Sequence, residues 1–373
     1  MKLAFCLFKY FPFGGLQRDF LRITQECADR GHDIHVFTMK WEGKRPNYTI
    51  NEMAPRGLQN HQQGAHFVKQ LKKHFSVNQY DLTIGFNKIP DLDWYYAADI
   101  CYQSRITHSR SFLYRLLPRY RRWQQLENSV FKRGAKTKIM LIAHQQQEEF
   151  IRYYQTEPER FFLLPPGIVK NQYDPNQFKA PDQVRKSVRA MYDIADHTHL
   201  LLMVGSGFKT KGLDRTLKAI AALPLKIQSR CRLFVIGTGN PRPFLELAKQ
   251  LYVDHLIHFL GGRSDVSQFL LSADLLIHPS YHENTGTVLL EAMVSGLPVL
   301  TLNSCGYGQY IHEAKAGVVL NNPFNQKELN RALTEMLSSN QHDIWRRNGL
   351  AYAELHDLYS MPQKAADLIE RLG

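Results

Sequence analysis

The sequence predicts an α/β protein built from two doubly wound units, and two observations carry that prediction. Short β-rich apolar runs alternate with helix-length stretches along the whole chain. A break at Pro165-Pro166-Gly167, which can neither continue a helix nor sit in a central strand, separates one such series from a second. Length agrees, because 373 residues exceed the ~100–200 that one core usually fills.

In chain order, the first series has strands at Leu3–Phe8, His35–Thr38, Leu82–Phe86 and Lys138–Ala143, each an apolar run followed by helix-length sequence. FFLLPPGI, from Phe161 to Ile168, then marks the boundary. The second series has strands at Leu200–Val204, Leu233–Gly237, Ile257–Leu260, Leu275–His278, Val299–Leu302 and Val318–Leu320. Strands separated by helices favour parallel sheets, and ligands bind such sheets at the carboxyl ends of the strands.

Composition excludes several classes. With 44% apolar and 22% charged residues the chain is an ordinary globular one, not a disordered one. No apolar run reaches the ~18 residues that a spanning helix needs. Lys9 ends the apolar opening too early for a signal peptide, so that opening reads as the first strand. Five cysteines, odd in number, widely spread and without a CxxC pair, point to neither a disulfide framework nor zinc, and fit a reducing cytoplasm.

The net charge of +13 favours anionic partners, and it is unevenly divided. Residues 1–166 carry 25 basic and 15 acidic side chains (+10), whereas 167–373 carry 22 and 19 (+3). Between Arg105 and Lys138, ten bases and one acid, Glu127, are interleaved with Phe112, Leu113, Tyr114, Leu116, Leu117, Tyr120 and Trp123. That mixture suits an anionic membrane surface, where bases meet lipid phosphates and apolar groups enter the headgroup boundary. A solvated basic helix, with part of the apolar set facing the protein's own core, is the plainer reading.

Gly237-Thr238-Gly239 follows a strand, but Arg242 stands where a dinucleotide fingerprint needs its third glycine. GFKTKG, Gly207 to Gly212, lacks the lysine that a Walker A loop places after its last glycine. There is no GxSxG elbow and no HExxH pair. Three strand-to-helix junctions remain. Phe13-Gly14-Gly15-Leu16 puts two glycines where a helix start can approach a phosphate, although a glycine pair is more often simply a turn. Val204 to Gly212 presents Lys209 and Lys211, whose ammonium groups can stabilise a leaving diphosphate, or can be incidental on an exposed loop. The third junction, HPSYHENTGTVLLEAMVSGLPVL from His278, is the most specific. Glu283 precedes a helix, Gly286-Thr287 starts it, and Glu291 lies within it. Carboxylates accept sugar hydroxyls with fixed geometry, and a helix start receives phosphate oxygens through its free amides.

Together these segments resemble the family 4 retaining glycosyltransferases over nearly the whole chain. FCLFKYFPFGGLQRDF (Phe5 to Phe20), GFNKIPDLDWYYAADICY (Gly85 to Tyr102), YQTEPERFFLLPPGI (Tyr154 to Ile168) and CGYGQYI (Cys305 to Ile311) look like the members that glucosylate the lipopolysaccharide core. The resemblance implies a GT-B fold, two Rossmann-like domains facing across a cleft. Its last helix, near Pro362 to Leu372, is implied to cross back. Residues 1–166 with about 359–373 then form the acceptor and membrane-side domain, and 167–358 the nucleotide-sugar domain.

The implied reaction takes glucose from UDP-glucose to a heptose of the heptosylated lipid A core, in α-1,3 linkage with retention. Within it, Glu291 binds the ribose, Glu283 the transferred sugar, and Lys211 the diphosphate, helped by the Gly286 and Thr287 amides and by Lys209. Gly14 and Gly15 approach the donor phosphate, Arg263 lies near the uracil, and Asp99 and Asp19 serve the sugar and acceptor side. The sequence departs from the family at Thr210 and Ser206, where relatives carry arginine. No metal or other cofactor is implied. The implied location is cytoplasmic, against the anionic inner face of the inner membrane. Other UDP-sugars such as UDP-galactose or UDP-N-acetylglucosamine, a UDP-sugar 2-epimerase, and a non-catalytic carbohydrate- or membrane-binding protein are the alternatives. Nucleic acid is not an expected partner, since no recognised binding motif supports it.

Overall fold

The structure is a computed structural model that describes residues 1–12, 14–109, 112–170, 175 and 181–371. Phe13 of the first junction, Arg110 and Ser111 of the basic stretch, and Leu372 of the last helix lie outside the described residues. The chain forms two compact units, one of Met1–Gly167 joined by the segment from Ser360 onward, the other of Ile168–Tyr359.

The first unit holds a seven-stranded parallel sheet ordered β3-β2-β1-β4-β5-β6-β7. Its strands are β1 (Lys2–Tyr10), β2 (Asp33–Trp41), β3 (Thr49–Glu52), β4 (Leu82–Gly85), β5 (Trp94–Ala97), β6 (Lys138–Leu141) and β7 (Phe161–Leu163). Both faces are covered, which is why β1 reads as a continuous apolar run. Leu3, Phe5 and Leu7 enter one core with Phe20, Ile23 and Cys27 of the helix Gly15–Asp29. Ala4 and Cys6 enter the opposite core with Phe67 and Leu71 of the helix Asn60–Phe75. The helix Met361–Arg371 adds Ala365, Ala366 and Ile369 to the first of these cores. Arg30 holds it from outside, with one guanidinium nitrogen 2.9 Å from Asp367 and 2.8 Å from Glu370.

The second unit holds a six-stranded parallel sheet ordered β10-β9-β8-β11-β12-β13. Its strands are β8 (His199–Val204), β9 (Cys231–Ile236), β10 (Ile257–Gly261), β11 (Leu275–His278), β12 (Val299–Leu302) and β13 (Gly317–Leu320). Alternation again divides each strand. Leu200 and Leu202 of β8 face the helix Thr287–Val294, while Leu201 and Met203 face the helix Leu213–Ala221.

Every strand expected from the sequence is present, with ends that differ by a few residues. Three strands of the first sheet were not legible. β3 is polar and half-exposed, β5 has only four residues between acidic turns, and β7 is an edge strand running into the prolines, where a missing ladder donor does no harm.

Candidate functional site

The carboxyl ends of β8 to β11 are stitched to one another by backbone bonds between their loops. Gly205 donates to Ile236 O at 2.8 Å, Gly237 to Gly261 O at 2.8 Å, and Tyr281 to Thr210 O at 2.8 Å. At Gly212, which precedes the helix Leu213–Ala221, φ is +81° and an added β-carbon would fall 2.0 Å from Pro279 O. Only glycine allows the Lys209–Gly212 loop to close on the Pro279 turn.

That closure brings Lys211 to Glu283. The Lys211 ammonium pairs with Glu283 Oε2, and the two side chains are 20% and 14% exposed. His278, the last residue of β11 and fully buried, places Nε2 3.4 Å from the same oxygen. Burial works most strongly against the Glu283 charge, but the His278 hydrogen bond and the Lys211 charge outweigh it and hold the carboxyl down at about 2. The Glu283 loop is fixed in turn by the loop after β12: Gly306 donates to Glu283 O at 3.3 Å and Tyr307 to Thr285 O at 2.7 Å.

The helix Thr287–Val294 starts beside this pair. Gly286 is its N-cap at φ +74° and, being glycine, brings no side-chain cap of its own. A β-carbon on Gly286 would stand 3.2 Å from Glu283 Cγ, so the helix start and the carboxylate are neighbours. A glycine-capped start of this kind leaves room for an anion at the first amides. Glu291 lies buried within the same helix, as the E-x7-E spacing requires.

Lys209, expected at the diphosphate, and Arg263, expected near the uracil, are each paired with an acid. Lys209 donates to Asp214 at 2.6 Å and to the Tyr281 hydroxyl at 3.2 Å, and the Asp214 bond raises its pKa. Arg263 makes a bidentate pair with Asp265, both bonds 2.7 Å, over the Phe269 ring. At the departures from the family, Ser206 bonds the Thr238 hydroxyl at 2.9 Å, and Thr210 supplies the carbonyl that receives Tyr281. Arg215 sits over both Tyr281 and Phe324, 3.5 and 3.7 Å from the ring centres, and donates to Pro279 O and Ser280 O in the turn that precedes Glu283.

In the first unit, Gly14 caps the helix Gly15–Asp29 in extended conformation with no side-chain cap, and the side of Gly15 where a β-carbon would lie is open. Asp19 accepts from the Tyr96 hydroxyl at 2.9 Å and sits 3.6 Å from Arg18; burial raises its pKa against those partners. Asp99 is exposed just beyond β5, and its carbonyl accepts from Gln146 at 2.8 Å.

The basic stretch contains the helices Tyr102–Ser109 and Pro118–Phe131. Its aromatic members turn partly toward the protein: Trp123 lies 6.2 Å from Phe8, and Tyr120 stacks on Tyr102. Leu126 is buried, but three other leucines are not. Leu113, Leu116 and Leu117 are 70%, 57% and 47% exposed, on a segment that also exposes Arg105, Arg119 and Arg121. Glu127, the one acid, is buried. It pairs with Lys88 and accepts from the Tyr102 amide at 2.7 Å, the Gln103 amide at 3.0 Å and the Tyr154 hydroxyl at 2.6 Å. Among the described residues, no helix is long and apolar enough to cross a membrane.

Sequence reasoning does not find His278, Asp214 or Arg215. Scattered histidine spacing hides the first, and only its place at the end of an apolar strand, five positions before Glu283, marks it.

Two family models match: "Glycosyltransferase Family 4" over residues 13–172 and "Glycosyl transferases group 1" over 184–351. The chain is 44% identical to the lipopolysaccharide glucosyltransferase WaaG of Escherichia coli (strain K12) over 99% of its own length and 98% of that protein's. It is 27% identical to a D-inositol 3-phosphate glycosyltransferase of Corynebacterium kroppenstedtii over 47% of its length and 40% of that protein's. Among solved structures, the crystal structure of WaaG, a glycosyltransferase involved in lipopolysaccharide biosynthesis, superposes with a TM-score of 0.93 at 43% identity, covering 99% of this chain and 100% of that one. Anabaena Alr3699/HepE in complex with UDP and glucose shares the fold at a TM-score of 0.75 and 18% identity, covering 99% of both chains.

Proposed function

The chain belongs to glycosyltransferase family 4, and on that premise we propose that it transfers glucose from UDP-glucose to a heptose of the lipopolysaccharide inner core, in α-1,3 linkage with retention of the anomeric configuration. One observation carries the reading. Lys211, Glu283 and the glycine-capped start of the helix Thr287–Val294 converge at the carboxyl edge of one sheet, in a chain alike along its length to the E. coli glucosyltransferase.

In this reading Lys211 and the Gly286 and Thr287 amides receive the donor diphosphate, Glu283 the glucose hydroxyls and Glu291 the ribose. Negative charge grows on the departing diphosphate as the anomeric carbon becomes oxocarbenium-like, so stabilising the leaving group matters more than a strong base. Lys211 then exchanges one anion, Glu283, for another. Lys209 and Arg263 must each leave an acid, Asp214 and Asp265, to reach a ligand, and the assignment does not lean on them. Gly14, Gly15, Asp19 and Asp99 keep the ligand-facing roles that the family implies. The acceptor hydroxyl attacks from the face that the diphosphate leaves: its oxygen bonds the anomeric carbon as the bond to the diphosphate breaks, and its proton passes to a departing phosphate oxygen, without a covalent glycosyl-enzyme, a metal or another cofactor.

The acceptor is a phosphorylated lipid, which gives the exposed leucines and arginines between Arg105 and Arg121 a use. We place the protein at the cytoplasmic face of the inner membrane, held there by this surface. The test is incubation with UDP-glucose, UDP-galactose and UDP-N-acetylglucosamine and a heptose-terminated acceptor, in EDTA, followed by linkage analysis of the product. A β-linked product or dependence on added metal overturns the mechanism, and preference for another UDP-sugar overturns the donor.

A further inference from the structure

We propose that His278 is a positioning residue for the transfer, whose Nε2–H holds the Glu283 carboxylate in place and ionised when Lys211 turns from it to the donor diphosphate. The inference rests on the donor site proposed above and deepens it.

The geometry gives three reasons. First, His278 is fully buried, and its Nδ1 is among the buried side-chain atoms that make no hydrogen bond. A buried nitrogen without a partner costs folding energy. The neighbours of His278 in β11 are apolar, and leucine would suit such a core position better, so packing alone does not account for an imidazole. Nε2 is the nitrogen that faces Glu283, and an Nε2–H there donates to the carboxylate. Second, Nε2 and the Lys211 ammonium share one oxygen, Oε2, and the His278 contact is long at 3.4 Å while Lys211 occupies that oxygen. Removing Lys211 to a diphosphate frees the oxygen for a shorter bond to the imidazole. Third, the His278 main chain is held in β11, where Thr301 Oγ1 donates to its carbonyl at 3.0 Å, and the side chain is fully buried, which leaves the ring little room to follow Lys211 when the lysine moves.

The titratable groups facing Glu283 are Lys211 from the loop after β8, His278 from β11 and Cys305 from the loop after β12, whose thiol burial keeps protonated. With Lys211 drawn away, the His278 hydrogen bond leads what still opposes the burial that favours a neutral carboxyl. A neutral Glu283 loses an acceptor for sugar hydroxyls.

The test measures UDP release against pH in wild type, His278→Leu, His278→Gln and Glu283→Gln, with thermal melts of each. His278→Leu is expected to melt at or above the wild-type temperature. It should lose about tenfold in kcat/KM near neutrality, mainly in kcat, and its acid limb should move up by about one pH unit. His278→Gln, whose amide can donate to Glu283, is expected to restore most of the acid limb. A wild-type acid limb in His278→Leu, or His278→Gln as impaired as His278→Leu, overturns the role of His278 while leaving the donor site standing. A fully active Glu283→Gln overturns the donor-site reading itself, and the inference with it.

Discussion

Lys211 and Glu283, 72 positions apart in sequence, meet as an ion pair beside a helix start whose N-cap is a glycine. In the proposed reading, the cation that receives the diphosphate is held against an internal anion until a ligand takes that anion's place. Lys211→Ala should lower kcat/KM by about 10²–10³-fold, the scale on which transition-state charge stabilisation is lost with one group. His278 still holds the remaining carboxylate, so the melting temperature should stay within about 5 °C of wild type. Near-wild-type turnover in UDP release would remove Lys211 from the chemistry.

Glu283 also links stability to pH. Its folded pKa is lowered from 4.5 to about 2, so its contribution is fully present above pH 4.5 and is lost as pH falls through 2. The lowering corresponds to roughly 3 kcal/mol. Urea titrations of wild type and Glu283→Gln at a series of pH values should therefore show a stability difference that shrinks between pH 4.5 and pH 2. A difference that stays constant across that window contradicts the pairing.

The exposed leucines and arginines predict adsorption to vesicles containing anionic lipid, weakened by salt. Neutralising Arg119, Arg121 and Arg122 should reduce binding by about two orders of magnitude, since each surface base contributes ~1 kcal/mol. Changing Leu116 and Leu117 to serine should weaken it further without altering the salt dependence. Cosedimentation measures both, and equal binding to neutral vesicles rules the surface out.

Glu127 anchors the same segment from beneath by receiving the first amides of the helix Tyr102–Ser109 and the Lys88 charge. Burial opposes its ionisation, and Lys88 leads the groups that overcome it to lower the pKa. Glu127→Ala leaves Lys88 without that partner and should cost about 3–5 kcal/mol in denaturant unfolding.

Gly212→Ala places a β-carbon 2.0 Å from Pro279 O at φ +81°. The loop must move away from the turn before Glu283, so UDP release should fall by more than about tenfold and stability by at least about 1–3 kcal/mol. Thermal melting and kinetics check the two together.

Much of the fold is legible because both sheets are covered on both faces. A strand buried twice over, such as β11 or β12, is an apolar run with sharp ends, and its bounds follow directly. β3 carries Thr49, Asn51 and Glu52 at a sheet edge, where no burial imposes a pattern, and it is silent in the sequence. At the site, the spacing of Glu283, Gly286 and Glu291 is local and shows through helix geometry. The pairing of Lys211 with Glu283 depends on how two strand ends lie side by side, and the diversion of Lys209 to Asp214 depends on side-chain direction around a turn. Neither leaves a mark in residue order.

The helix Met361–Arg371 completes the core of the first unit, yet the ribosome makes it only after all of Ile168–Tyr359 has been translated. One flank of the earlier-made half thus stays greasy and uncovered during most of synthesis. A premature stop codon late in the reading frame would accordingly harm the opening portion of the polypeptide, with chaperone dependence and clumping in the cell as its symptoms.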